Sequence, residues 1–198
     1  MVKTDKKSLY FKNEKGVGDI LGHDLKVLFV GINPGVTSTE RGHHFAGPTN
    51  HFWPCLSESG LCDRTLHYYN DNKLPDEFRL GITNLTARTT RSASELSLSE
   101  QRKGIPILTE KIKEYRPRVV CFVGKGIYEI YSKGKCKMGL QENTIPWNQD
   151  EQNGETLIFV MPSTSGLVSA YQKSDKLKFF KELNELASQQ DLKYPKRP

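Results

Sequence analysis

Apolar residues in this chain gather into four short unbroken runs, separated by stretches with helical spacing. The runs are Lys26–Val30, Arg79–Leu85, Val119–Val123 and Thr156–Met161, the second being the weakest. Continuous Val, Ile, Leu and Phe, rather than strict alternation, predicts strands covered on both faces. Between them the spacing predicts helices. Residues 51–61 follow Asn50, a residue type that caps helix starts. Residues 107–115 carry Leu108, Ile112 and Tyr115 on one stripe, and residues 126–133 form a shorter candidate. Residues 174–187 carry Leu177, Phe180, Leu183 and Ala187 at helical spacing, with Ser174 as the expected cap. The stretch "SLSEQRKGIPILTEKI" offers a capping box at Ser97 and Glu100. Gly104 and Pro106 then interrupt it, so a kink is expected, or a short helix followed by a second that begins at Pro106. Strands alternating with helices argue for an α/β domain with a mostly parallel sheet.

Length adds that this is one domain: 198 residues can bury a core without covalent staples. Residues 1–18 read as a basic N-terminal arm, 19–188 as the folded domain, and 189–198 ("QQDLKYPKRP") as a basic C-terminal tail. Residues 141–155 hold few apolar groups and read as an exposed loop or hairpin insertion. No run of 18 apolar residues exists and the N-terminal stretch lacks the apolar core of a signal peptide, so an intracellular protein with no membrane association is expected. The four cysteines, Cys55, Cys62, Cys121 and Cys136, are widely spaced without a C-x-x-C pair, which points to free thiols. A formal net charge of +6 permits a polyanionic partner without requiring one.

The candidate chemistry lies where the strands end. The first run passes into Gly31-Ile32-Asn33-Pro34-Gly35, the second into Thr83-Asn84, the third into Gly124-Lys125-Gly126, and the fourth into Met161-Pro162-Ser163-Thr164-Ser165-Gly166. In an open parallel sheet these ends share one edge, where ligands bind. The converging groups are two amides, an amine and a hydroxyl. Paired carboxylates are missing, which argues against the usual glycoside hydrolases. No G-x-S-x-G and no complete phosphate loop is present. His43, His44 and His51 lack acid or cysteine partners, so no metal is expected. What remains is a site that hydrogen-bonds a planar neutral group, with rings at His43, His44 and Phe45 available to stack.

Four blocks, "GINPG", "GHHFAGPTNHFW", "GITNLTARTT" and "MPSTSGL", resemble in order and spacing the mismatch-specific uracil and thymine DNA glycosylases. The likeness runs from about Leu25 to about Ala187 and looks closest to the catalytic core of the thymine-DNA glycosylase branch. It implies a three-layer sandwich with a mostly parallel central sheet flanked by helices. It also implies excision, without strand cleavage, of uracil, thymine or modified cytosine mispaired with guanine. Asn33 matches the catalytic asparagine that positions a water. Ile32, Ser38, His44, Phe45 and Asn84 match the base pocket, Phe45 as the stacking ring and Asn84 as the reader of the pyrimidine edge. Leu167, flanked by Gly166 and Val168, falls at the wedge that fills the vacated stack; vertebrate enzymes carry arginine there and bacterial relatives leucine. Ser163, Ser165, Lys125, Arg88 and Arg91 are candidate phosphate contacts, with Arg41 on the same basic face. Taken alone, Asn33-Pro34-Gly35 is also a turn starter, Asn84 a cap and Lys125 a surface lysine. The implied partner is double-stranded DNA with G·U or G·T mismatches, with no cofactor, a monomeric enzyme and a nuclear location in a eukaryote or a cytoplasmic one otherwise. The alternative is a non-catalytic module of the same fold that binds mismatched or damaged bases.

Overall fold

A computed structural model describes residues 16–147 and 154–193. Among these residues, β1 (Val27–Gly31), β2 (Leu80–Asn84), β3 (Val119–Val123), β4 (Gly139–Pro146) and β5 (Glu155–Met161) form one sheet in the order β2-β1-β3-β5-β4. All neighbours pair in parallel except β4, which runs antiparallel to β5. Successive residues of the inner strands point to opposite faces. Val27 and Phe29 of β1 meet Phe52 and Leu56 of α2 (Phe52–Glu58) and Phe180 and Leu183 of α5 (Lys173–Lys193). Leu28 and Val30 face the other way, toward Leu108 and Ile112 of α3 (Leu98–Tyr115) and Ile127 and Tyr128 of α4 (Lys125–Ser132). Both faces are thus covered, which is why the strands read as unbroken apolar runs, and the result is the expected three-layer sandwich. The chain leaves β1 toward β2 and returns past it to β3, so the order reverses at β1. A crevice at the carboxyl ends of β1 and β3 follows from that topology.

Several local expectations change. The interruption foreseen at Gly104 and Pro106 is absent: α3 runs unbroken from Leu98 to Tyr115, with the Ser97 Oγ accepting from the Glu100 N–H at 3.1 Å as its cap. Pro106 is exposed, so the carbonyl it leaves unbonded faces water, while Gly104, Leu108 and Ile112 line up on the buried stripe. Ser174 is not the cap of α5; the Asp175 carboxylate instead accepts from the Gln172 N–H at 3.1 Å. Helix α5 continues to Lys193, into the stretch read as a tail, and its Asp191 pairs with Arg79 at 2.8 Å; residues 194–198 lie outside the described residues. Residues 1–15 of the expected arm also lie outside them, whereas Ile20 already bridges to Ile82. Of the stretch read as a loop or hairpin insertion, residues 141–146 belong to edge strand β4, which pairs antiparallel with β5 as a hairpin does and of which only Gly139 and Ile145 are buried. The short helix α1 (Val36–Arg41) was not anticipated either, for only Ser38 of it is buried.

Candidate functional site

A cleft of about 510 Å³ opens at this edge, walled by residues 31–38, by Phe45 and the 47–50 loop, by Asn84 and Arg91, and by residues 163–167. Asn33 stands at its mouth with one end of its amide fully committed. Its Nδ2 donates to the Arg88 carbonyl at 2.8 Å and to the Thr90 Oγ1 at 2.7 Å, with a longer contact of 3.2 Å to the Pro34 carbonyl. A carbonyl can only accept, so this pairing settles which end of the amide is nitrogen. The Oδ1 has no hydrogen-bond partner among the described residues and is left as an acceptor.

Phe45 is held in a left-handed backbone conformation, φ +51°, costly for a residue with a ring. The residues before it explain how. The buried Asp71 takes the His43 Nδ1 at 2.8 Å on one carboxylate oxygen and the His44 N–H at 3.0 Å on the other. The His44 Nε2 lies 2.8 Å from the Gly18 carbonyl and therefore carries a proton, and the His44 carbonyl accepts from the Trp53 Nε1 at 3.0 Å. Burial, the largest influence on His44, lowers its pKa below 6.5, so the ring is neutral. His44 thus braces the loop from behind and does not line the cleft, contrary to the pocket role expected of it. The Phe45 ring stacks on Phe52, centroids 4.1 Å apart and planes 15° apart, and presents its other side to the cleft. Its N–H has no hydrogen-bond partner among the described residues. Ser38 lines the cleft while its Oγ accepts from the Ala46 N–H at 3.2 Å. Ile32 also lines it, with its carbonyl turned to the Thr86 N–H at 2.9 Å. Asn84 pairs with Gly31 in the sheet, and a Cβ at Gly31 would stand 2.5 Å from the Asn84 Oδ1. The amide of Asn84 reaches the cleft across space that a glycine leaves open.

The facing loop stacks short polar links: Ser163 Oγ accepts from the Ser165 N–H, and Ser165 Oγ from the Leu167 N–H, both at 3.3 Å. Gly166 packs against Thr49, and Leu167 beyond it is 91% exposed at the cleft rim. Val168 donates its N–H to the Ser165 carbonyl and stands outside the cleft wall. The cations divide. Arg91 lines the cleft and has no partner among the described residues. Arg88 is engaged by both oxygens of Glu100, at 2.6 and 3.0 Å, and its hydrogen bond with that carboxylate is the main cause of Glu100's lowered pKa. Lys125 pairs with Glu129 at 3.6 Å along α4 and does not reach the cleft. Arg41 folds back onto the Ala46 carbonyl at 2.8 Å and over the Tyr68 ring.

Among the described residues no group of three His, Cys, Asp or Glu is placed to hold a metal, and no helix is long and apolar enough to cross a membrane. Burial pushes the Cys55 and Cys62 thiols up to about 11 and about 12, which removes them as nucleophiles. Three contributors were missed in the sequence. Gly31 and Asp71 carry no local signal, since their roles depend on residues more than 25 positions away. Lys176 did carry one: it lies four residues before Phe180 and seven before Leu183, on the stripe that helix α5 buries.

Residues 19–187 match the family model of the uracil DNA glycosylase superfamily. The chain is also 39% identical over 180 residues to the G/U mismatch-specific uracil DNA glycosylase of Schizosaccharomyces pombe, an alignment covering 86% of this chain and 55% of that relative. The chain therefore spans little more than half of that relative's length.

Proposed function

Because the chain belongs to the uracil DNA glycosylase superfamily, we propose that it is a monofunctional DNA glycosylase that excises uracil, and more slowly thymine, mispaired with guanine in double-stranded DNA. The observation that carries this reading is the amide of Asn33, anchored through its Nδ2 with its Oδ1 left without a partner among the described residues, in the cleft that Phe45 also lines. A flipped pyrimidine stacks on Phe45, with Asn84 at its edge, and base–aromatic stacking contributes ~1–3 kcal/mol. The Asn33 Oδ1 accepts a hydrogen bond from a water and aims its oxygen at the sugar C1′. The C1′–N1 bond breaks with its electron pair going to the base, which departs as an anion, and the water oxygen bonds to C1′ and gives its proton to solvent. A neutral amide is a poor proton acceptor, so most of the barrier must fall through stabilisation of the departing anion. The unpartnered Phe45 N–H and the Asn84 amide are the donors placed for that. Leu167 fills the stack that the base vacates. Arg91 meets a phosphate, while Arg88, tied to Glu100, acts by holding its own carbonyl against Asn33.

The test is base release from duplexes carrying G·U, G·T and A·U and from single-stranded uracil, read as alkali-labile sites. G·U should be the best substrate, and Asn33→Ala should slow it by about a hundredfold or more while leaving duplex binding intact. Release from none of the four substrates by the wild-type protein would overturn the reading; tight binding without release would point to the non-catalytic module instead.

A further inference from the structure

Lys176 is the charge the mechanism above leaves unused. It sits in the first turn of α5 and is 1% exposed, with a core phenylalanine one turn away. Burying an ammonium is costly unless hydrogen bonds compensate, so what it touches is informative. Its Nζ donates to the Ser165 carbonyl at 2.8 Å and lies 3.3 Å from the His51 Nδ1. The His51 N–H in turn donates to the Thr164 carbonyl at 2.9 Å. Two successive carbonyls of the loop that carries Leu167 are thus clamped, one by α5 and one by the residue that starts α2. The next residue of α2, Phe52, is the platform on which Phe45 stacks. One turn of helix therefore holds both the wedge loop and the stacking ring, and Lys176 locks the loop to that turn. A leucine 91% exposed cannot hold its own loop in place by packing, so the clamp beneath it must do so.

We propose that Lys176 is a positioning residue for base extrusion: its buried side chain fixes residues 163–168 to the start of α2, so that Leu167 enters the stack as the base reaches Phe45. The inference rests on the glycosylase reading. Without the clamp the loop gives way when pushed against a base pair, and only substrates whose base must be forced out suffer. Burial lowers the pKa of Lys176, consistent with an ammonium held by few, specific acceptors.

The experiment compares single-turnover excision from two duplexes, one with uracil opposite guanine and one with uracil opposite an abasic-site analogue, where no pairing resists extrusion. Lys176→Met, which keeps the length and removes the donors, should slow the first by about tenfold and the second by less than about twofold. Lys176→Gln, whose amide still donates to the Ser165 carbonyl, should recover part of the loss. In a Leu167→Ala background Lys176→Met should cause no further slowing, because both act on the same step. Equal slowing on both duplexes, or none on G·U, would overturn the proposal, whereas failure of the wild-type protein on both would overturn the glycosylase reading. Should Lys176→Met not fold, His51→Ala, which removes the ring beside the Lys176 ammonium and leaves the backbone link to the Thr164 carbonyl intact, must show the same split between substrates in smaller measure.

Discussion

At the scale of single residues, the cleft depends on atoms that are absent as much as on those present. A methyl at Gly31 would come within 2.5 Å of the Asn84 Oδ1 and 3.6 Å of the Phe45 ring edge. The strand tolerates alanine, so Gly31→Ala is expected to fold with near-wild-type stability and to lose excision about tenfold to a hundredfold by displacing Asn84. Steady-state kcat/KM on the G·U duplex checks this, and a value within twofold of wild type would remove Asn84's placement as the reason for glycine there. That Asn33 and Asn84 would meet at one sheet edge was legible in the sequence, because each follows the end of an apolar run, while Phe45 was singled out by the family resemblance of its block. The role of His44 was not legible, because one ring nitrogen bonded to the Gly18 carbonyl turns a pocket candidate into a brace. Nor was the division between Arg88 and Arg91, three residues apart, of which only the first meets Glu100 across the loop.

At the scale of elements, the inner strands read well and the periphery did not. Strands covered on both faces carry an apolar residue at every position, a signal that no folded context can erase. Edge strand β4 buries only Gly139 and Ile145, so its sequence does not tell a loop from the hairpin that it forms with β5. Helix α3 shows the opposite error, since glycine and proline are locally disfavoured in a helix but tertiary contact overrides them here. A Cβ at Gly104 would fall 1.8 Å from the Leu85 carbonyl oxygen, so the helix rests directly on the backbone that follows β2. Gly104→Ala, normally favourable in a helix, is expected to destabilise the fold by ~1–3 kcal/mol through this overlap. Urea unfolding measures it, and an unchanged or raised midpoint would show that α3 slides without cost. The same displacement would move Leu85 and Asn84, so excision should fall in parallel.

At the scale of the whole molecule, stability carries the mark of buried histidine. Burial holds the pKa of His44 below its ordinary 6.5, and His51 is lowered in the same direction, first by burial and then by Lys176. Above pH 6.5 both are neutral in the folded and unfolded chains and contribute no pH dependence. Below it the unfolded chain takes up protons that the folded one refuses, so stability falls as pH drops from 6.5 toward the folded-state pKa values. Urea midpoints between pH 7.5 and 5.5 should be flat at the upper end and decline at the lower. His44→Gln, which keeps a donor for the Gly18 carbonyl, should shallow the decline; an unchanged slope would place the titration elsewhere. Taken as a whole, the sequence by itself determined the α/β class, the inner strands and the polar strand ends that meet along one edge of the sheet. Those features follow from local rules: continuous burial leaves continuous apolar runs, and strand ends of a parallel sheet share an edge. Only the tertiary structure decided which cations are paired, which histidine is a brace, and that Lys176 reaches the Ser165 carbonyl. Each of those is settled by a partner distant in the chain, such as Glu100 for Arg88, Gly18 for His44 or Ser165 for Lys176. A side chain's chemistry is set by its neighbours in space, and spacing along the chain does not record them.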